Sequence, residues 1–212
     1  MIGFAHRGGM ADAPENSLEA FRRALAAGAT GLESDVWLDP QGRAVLHHGP
    51  PHKQPRPPLP LAELLSECGT DFDLSLDLNG PGTAQQTVAV CRAAGFDLRR
   101  LWLVGGLGTC AALRDLDPDL RLVTNMGWTD ALWRREPALQ AIVSAGIDAL
   151  NLRHGRWTKG MVAEAHAHGL LAFAWDVNNR VSLALAVRRG VDAIYSDHVR
   201  LLWLAARAAP DS

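Results

Sequence analysis

The chain has 212 residues, of which 48% are hydrophobic and 21% charged, so it is long enough to bury a sizeable core and lacks the composition of a disordered protein. A formal net charge of −2 predicts neither a nucleic-acid-binding surface nor attraction to an anionic membrane. No apolar stretch reaches the ~20 residues of a spanning helix, and the N-terminus does not resemble a signal peptide. We therefore expect one cytoplasmic domain covering residues 1–212, without stable membrane insertion.

Short apolar segments alternate with segments of helical periodicity along the chain. The predicted strands are, in order, Ile2–Ala5, Gly31–Trp37, Phe72–Leu78, Leu101–Val104, Leu120–Thr124, Ile147–Leu152, Leu170–Val177 and Asp192–Ser196. The clearest helix is Asn16–Ala27, with Asn16 and Glu19 as its cap and Gly28 at its end. Further helices are predicted to begin near Leu61, Thr83, Thr109, Asp130, Thr158, Asn179 and Val199.

Eight strand–helix units in a chain of this length predict an α/β fold, a single-domain (β/α)8 TIM barrel. The alternative is an open doubly wound sheet, which has the same local pattern. Two observations favour the barrel: no GxGxxG follows the first strand, and polar residues recur at the ends of many strands rather than near one switch point. In a barrel those ends meet at one mouth.

A proline-rich loop is predicted after strand two. The segment from His47 to Leu61 holds six of the twelve prolines, which remove amide donors and fix φ, so it should be extended and stiff. It is either a rigid connector or one wall of an active site.

Carboxylates share one face on strands two and three. Glu33 and Asp35 lie two residues apart, and Asp73, Ser75 and Asp77 repeat the pattern. The simplest interpretation is two strands with one solvated face. In a barrel wrapped by helices this face must point inward, where carboxylates need a cation or partner. All-oxygen ligands favour Mg²⁺, Ca²⁺ or Mn²⁺ over zinc.

Two histidines are predicted to reach the same mouth. His6 ends strand one and His47 follows strand two, and imidazoles are suited to moving protons beside an acidic cluster. His48 is a competing candidate for the position of His47. A lone histidine is more often structural, and only the convergence of two favours catalysis.

Four tryptophans fall at or beyond predicted strand ends: Trp37, Trp128, Trp157 and Trp175. They either fill the core or form an apolar rim that holds the alcohol or acyl part of a substrate.

Several motifs resemble, in order and spacing, those of the glycerophosphodiester phosphodiesterase family. The N-terminal ones are His6-Arg7-Gly8, Pro14-Glu15-Asn16-Ser17, Glu33-Ser34-Asp35-Val36 and Val45-Leu46-His47. The C-terminal ones are Trp175-Asp176-Val177-Asn178 and the segment Gly190–Asp197. The resemblance implies a barrel phosphodiesterase with a divalent cation, Mg²⁺ or Ca²⁺, with Mn²⁺ as a further candidate.

The resemblance also implies roles for individual residues. His6 and His47 would be the acid–base pair, and Arg7 would bind phosphate. Glu15, Asn16 and Trp175 lie in the matched motifs and are predicted to contact substrate. The metal ligands would be Glu33, Asp35 and Asp77.

Three positions depart from the family pattern. Asp77 replaces the usual glutamate and Asn79 the usual lysine of an E-x-K motif, and His48 replaces an aspartate. The expected reaction is hydrolysis of a small-molecule glycerophosphodiester to an alcohol and glycerol 3-phosphate. Two alternatives stay open: a phospholipase D-like enzyme that forms a cyclic phosphate from lysolipids, and a non-catalytic phosphate-binding barrel.

Overall fold

A computed structural model describes residues 1–50, 57–125 and 136–208. Eight parallel strands form a barrel that closes because β1 pairs with both β10 and β2. They are β1 (Ile2–Ala5), β2 (Gly31–Leu38), β5 (Asp73–Leu78), β6 (Leu101–Gly105), β7 (Arg121–Asn125), β8 (Ala149–Arg153), β9 (Leu171–Trp175) and β10 (Ala193–Ser196). The predicted (β/α)8 barrel is confirmed.

Helices follow the barrel strands. They are α1 (Leu18–Ala26), α2 (Leu61–Cys68), α3 (Thr83–Ala93), α4 (Leu107–Ala111), α5 (Glu136–Ser144), α6 (Lys159–Ala167), α7 (Arg180–Arg189) and α8 (Val199–Ala208). The helix start predicted near Asp130 lies outside the described residues. No helix in the described ranges is long and apolar enough to cross a membrane.

Two short antiparallel strands extend the barrel beyond β2 and were not predicted. β3 (Ala44–Leu46) pairs with β2, and β4 (Leu59–Pro60) pairs with β3. The reversal is made by Asp39, whose Oδ1 accepts hydrogen bonds from the amides of Gln41 and Arg43. The proline-rich loop begins at His47, as predicted, directly after β3, and it contains β4. Residues 51–56 of that loop lie outside the described residues.

The predicted cap of α1 is wrong by one residue. Ser17 caps the helix, since its Oγ accepts a hydrogen bond from the amide of Ala20 at 3.2 Å. Asn16 instead has a left-handed backbone (φ +53°), and its buried Oδ1 accepts a hydrogen bond from Ser34 Oγ at 2.6 Å. Asn16 thus ties the loop before α1 to β2.

Aromatic side chains fill the lower part of the barrel. Phe4 stacks on Tyr195 with ring centroids 4.9 Å apart, and Phe173 lies 5.0 Å from Trp102. A Cβ at Gly31 would lie 2.6 Å from the Phe4 ring, so the barrel needs glycine there. Because this layer blocks the lower end, polar groups higher in the barrel face only the mouth at the carboxyl ends of the strands.

Candidate active site

A cavity of about 270 Å³ opens at the barrel mouth. Its walls are formed by His6, Glu33, Asp77, Asn125, Asn151, Trp175 and Tyr195. These residues come from seven different strands or the turns that follow them, as expected where parallel strands converge. The alternation of side chains on β2 and β5 therefore places Glu33 and Asp77 inside the barrel, as predicted. At its floor the hydroxyl groups of Ser75 and Tyr195 are hydrogen-bonded at 3.0 Å.

The imidazole of His6 is held by a carboxylate at the other end of the chain. Its Nδ1 lies 2.5 Å from Asp197 Oδ1, and its Nε2 lies 3.8 Å from Glu33 Oε2. A carboxylate accepts hydrogen bonds, so Nδ1 carries the proton and Nε2 is left as the basic nitrogen of the neutral ring. This arrangement presents Nε2 to the cavity as a proton acceptor.

Asn178 in turn fixes Asp197. The Asn178 amide nitrogen donates to Asp197 Oδ2 at 2.7 Å, and its Oδ1 accepts from the Asp197 backbone N–H at 2.9 Å. Both residues lie within the C-terminal motifs, but neither was predicted to have a role. The available signal was topological: His6 and Asp197 directly follow Ala5 and Ser196, which are paired across the β1–β10 seam.

Arg7 faces two carboxylates. Its guanidinium donates to Glu15 Oε2 at 2.9 Å and lies 3.8 Å from Asp35 Oδ2. Its backbone N–H, turned inward by a left-handed conformation (φ +50°), donates to Glu33 Oε2 at 2.9 Å. The structure thus places Arg7 beside the acidic residues and gives Glu15 a defined contact, with the Arg7 guanidinium.

Burial and mutual repulsion disfavour ionisation of the cavity carboxyl groups. Burial, followed by the charge of Asp35, raises the pKa of Glu33 to about 8. Burial raises the pKa of Asp77 well above its usual range, and the charges of Glu33 and Asp35 add to this effect. A positive charge in the cavity would reduce the repulsion between these carboxylate groups and favour their ionised forms.

The shifted pKa of Glu33 predicts the pH dependence of stability. Below about pH 4.5 the carboxyl group is protonated in the folded and unfolded chain alike. As the pH rises from there to about 8, the unfolded chain ionises first, so the folded state loses stability. Glu33→Gln should therefore increase the free energy of unfolding in chelator at pH 8.5, on the order of a few kcal/mol, and so raise the melting temperature there, with little effect at pH 4.5. Thermal unfolding of both proteins across this range checks it, and an equal shift at both pH values would contradict it.

The predicted metal ligands lie close together, but they are not arranged as a complete metal-binding site. The register pairs Asp35 with Asp77 across β2 and β5, and Glu33 and Asp77 line one cavity. Within residues 1–50, 57–125 and 136–208, no three His, Cys, Asp or Glu side chains are grouped as ligands of one metal ion. Buried carboxylate oxygens that repel one another do suit a hard divalent cation. The cation itself stays a prediction.

The second histidine lies apart from His6 in this structure. His47 lines a neighbouring cavity of about 340 Å³ together with Glu15, Asn16 and the prolines at residues 57, 58 and 60. Its Nδ1 lies 2.9 Å from the carbonyl oxygen of His48, whereas His48 Nδ1 contacts Asp35 Oδ2 at 3.2 Å. His48 therefore touches the acidic cluster directly, and the catalytic role of His47 stays a prediction.

Of the tryptophans at predicted strand ends, one lies at the rim of the cavity and another fills the core. Trp175 lines the cavity and is 43% exposed, which suits a rim. Trp157 is fully buried in the layer between strands and helices, and its Nε1 donates to the carbonyl of Phe173 at 2.8 Å, so it fills the core. Trp128 lies outside the described residues.

Comparison with known proteins identifies relatives of two kinds. Glycerophosphodiester phosphodiesterase 1 of Rattus norvegicus is 54% identical over 44 residues, which are 21% of this chain and only 13% of the rat protein. Glycerophosphodiester phosphodiesterase of Bacillus altitudinis is 26% identical over 234 residues, covering 92% of this chain and 93% of the relative.

Solved structures with a similar fold include an Oleispira antarctica phosphodiesterase in complex with the product sn-glycerol-3-phosphate. Its TM-score is 0.80 at 19% sequence identity, with 98% of this chain and 97% of that chain covered. This similarity supports the barrel fold.

The family comparison covers most of the chain. The model of the glycerophosphoryl diester phosphodiesterase family matches residues 6–53 and 104–201. The first range contains His6, Glu33 and His47, and the second contains Trp175 and Asp197. On this match, the chain belongs to the glycerophosphoryl diester phosphodiesterase family.

Proposed function

We propose that this protein is a metal-dependent phosphodiesterase that hydrolyses glycerophosphodiesters to an alcohol and glycerol 3-phosphate. The observation that carries the proposal is the orientation of His6. Asp197 holds its Nδ1, so that the basic Nε2 faces a cavity lined by carboxylates, with Arg7 beside them. A phosphodiester needs charge neutralisation and proton transfer at one place, and these groups supply both.

The comparisons support the substrate class. The relative from Bacillus altitudinis matches over nearly its whole length and bears the name of this activity. The Oleispira antarctica structure contains sn-glycerol-3-phosphate, the product proposed here.

Each residue would have a limited task. Glu33, Asp35 and Asp77 would hold Mg²⁺, Ca²⁺ or Mn²⁺, which neutralises phosphoryl charge when bound. His6 Nε2 would take the proton of the attacking hydroxyl. His47 would protonate the leaving alcohol from the neighbouring cavity. Arg7 would exchange part of its contact with Glu15 or Asp35 for a phosphoryl oxygen.

A turnover screen tests the proposal. Glycerophosphocholine, glycerophosphoethanolamine and a lysophospholipid would be incubated with Mg²⁺, Ca²⁺ or Mn²⁺, and the phosphorus products would be followed by ³¹P NMR. We expect glycerol 3-phosphate from the first two substrates. Binding without turnover under every condition would refute the proposed phosphodiesterase activity and favour a non-catalytic phosphate-binding barrel.

The screen also separates a second candidate function. Trp175 is 43% exposed beside the cavity, which favours an apolar substrate portion. A phospholipase D-like enzyme would act on the lysophospholipid and release a cyclic phosphate. Accumulation of that cyclic product from the lysophospholipid alone would favour this candidate.

Metal binding should be visible in stability. A divalent cation that binds only the folded chain stabilises it by mass action, by about 2.7 kcal/mol at 100 times its dissociation constant. We therefore expect millimolar Mg²⁺ or Ca²⁺ to raise the melting temperature by several degrees, and Asp35→Asn to abolish most of this gain. Asp115→Asn, outside the cavity lining, is the matched control and should keep it. No shift in the unsubstituted protein would count against a resident cation.

A further inference from the structure

A row of side-chain amides crosses the cavity from the carboxylates to the opposite wall. Asn151 Nδ2 donates to Asn125 Oδ1 at 2.9 Å, and the side chain of Asn125 hydrogen-bonds to Asp77. Asn125, the last residue of β7, is paired with Asn151 in β8, and both line the cavity. Neither was singled out by the sequence analysis, because isolated asparagines carry no motif.

The hydrogen bond between the two asparagines fixes the direction of this row. Because Asn125 Oδ1 accepts from Asn151 Nδ2, the Asn125 NH₂ group is the one turned toward Asp77. The remaining group, Asn151 Oδ1, is thereby fixed as an acceptor.

This acceptor is unused. Asn151 is 7% exposed and lines the cavity, and its Oδ1 has no hydrogen-bond partner within the described part of the chain. Buried polar groups are nearly always satisfied, so an orphan acceptor beside a substrate cavity indicates a ligand group that donates a hydrogen bond. The oxygen is shielded from bulk water, so a hydrogen bond from a ligand would not have to replace one from solvent.

We infer that Asn151 Oδ1 accepts a hydrogen bond from the terminal hydroxyl of the substrate's glyceryl group, making it a specificity-determining residue. The inference rests on the proposed function and names one contact within it. A glyceryl group has two free hydroxyls. The one next to the phosphoester must lie by His6 if it attacks phosphorus, which leaves the terminal hydroxyl for the opposite wall. Asn151 then selects glyceryl diesters over diesters of simpler diols.

Two matched ligand pairs test the inference. For turnover they are glycerophosphocholine and the phosphocholine ester of propane-1,2-diol, which lacks only the terminal hydroxyl. For binding they are sn-glycerol 3-phosphate and propane-1,2-diol 1-phosphate, titrated calorimetrically with Mg²⁺ present. We expect the unsubstituted protein to prefer the glyceryl member of each pair at least ~10-fold, in kcat/KM and in Kd.

Asn151→Ala should reduce this preference to near unity by weakening the glyceryl ligand alone. Asn151→Leu, which keeps the side-chain shape without polar atoms, should do the same and guards against a folding defect in the alanine variant. Thr124→Val is the control: it removes another buried, unpartnered oxygen from β7, but one that does not line the cavity, and should leave the preference unchanged.

Three results would overturn the inference: no preference in the unsubstituted protein, a preference retained in both Asn151 variants, or equal weakening of both ligands. The binding pair keeps this test separate from the proposed reaction. Glyceryl preference in binding with no turnover would refute the hydrolase and leave the contact standing. Turnover without any preference for the glyceryl ligand would support the hydrolase and refute the contact with Asn151.

Discussion

Replacing His6 by alanine is expected to reduce turnover of glycerophosphocholine at least ~10²-fold while leaving the barrel folded. The imidazole is about one-third exposed, and its contacts are the carboxylates of Asp197 and Glu33, so it contributes proton transfer rather than core packing. Initial rates at saturating substrate and Mg²⁺, together with melting temperatures, measure the two effects separately.

Two further variants sharpen this result. Asp197→Asn keeps a side chain of the same shape but removes the charge that orients His6, so turnover should fall by roughly 10-fold or more with little change in KM. His168→Ala is the matched control, because His168 is an exposed histidine whose side chain contacts only the carbonyl of Glu164 among the hydrogen bonds described. Unchanged turnover in His6→Ala would refute its role.

The second histidine is tested in the same assay. His47→Ala should also cost ~10²-fold or more, and His48→Ala much less. The structure makes this comparison informative, since the imidazole of His48 contacts the Asp35 carboxylate, whereas the imidazole of His47 contacts the carbonyl oxygen of His48. If His48→Ala proves the more damaging change, His48 is the second catalytic histidine.

A substrate analogue without the hydroxyl next to the phosphoester should bind comparably and turn over at least ~10²-fold more slowly. Among the described residues that line or floor the cavity, the only hydroxyl groups are those of Ser75 and Tyr195. They are hydrogen-bonded to each other, and burial raises the pKa of Tyr195 well above its usual range. Neither is a suitable nucleophile. Attack by the neighbouring substrate hydroxyl would give a five-membered cyclic phosphate that water then opens, and it has the entropic advantage of a pre-positioned nucleophile.

The comparison requires single-turnover rates and dissociation constants for glycerophosphocholine and its 2-deoxy analogue. A transient cyclic phosphate in ³¹P spectra of the natural substrate would support the same route. Equal turnover of the two compounds would refute substrate-assisted attack and indicate that water attacks phosphorus directly.

The barrel and its polar face could be predicted from the sequence because both depend on local periodicity. Strand β1 was predicted without error, and β2 and β5 within one residue, since each has an alternating pattern bounded by polar residues. The same alternation put Glu33 and Asp77 on one face. Local pattern and global fold agree here, so side-chain direction followed from strand register.

The remaining features depend on contacts between residues distant in sequence or on turn geometry. No pattern within β1 shows that His6 meets Asp197, which is 191 positions away and becomes a neighbour only when the barrel closes. The hairpin of β2 and β3 depends on the Asp39 turn, and the choice of Ser17 over Asn16 as cap depends on the buried hydrogen bond between Asn16 and Ser34. Each of these is a competition between nearby polar groups that composition cannot decide.

The seam between β1 and β10 has a consequence for synthesis of the protein on the ribosome. His6 is translated before Asn178 and Asp197, so its imidazole has no orienting carboxylate until β10 docks against β1. A nascent or C-terminally shortened chain would carry the acidic cluster and both histidines while lacking an oriented base. Correct orientation of the His6 imidazole therefore depends on closure of the β1–β10 seam, and a chain that lacks β10 would not have it.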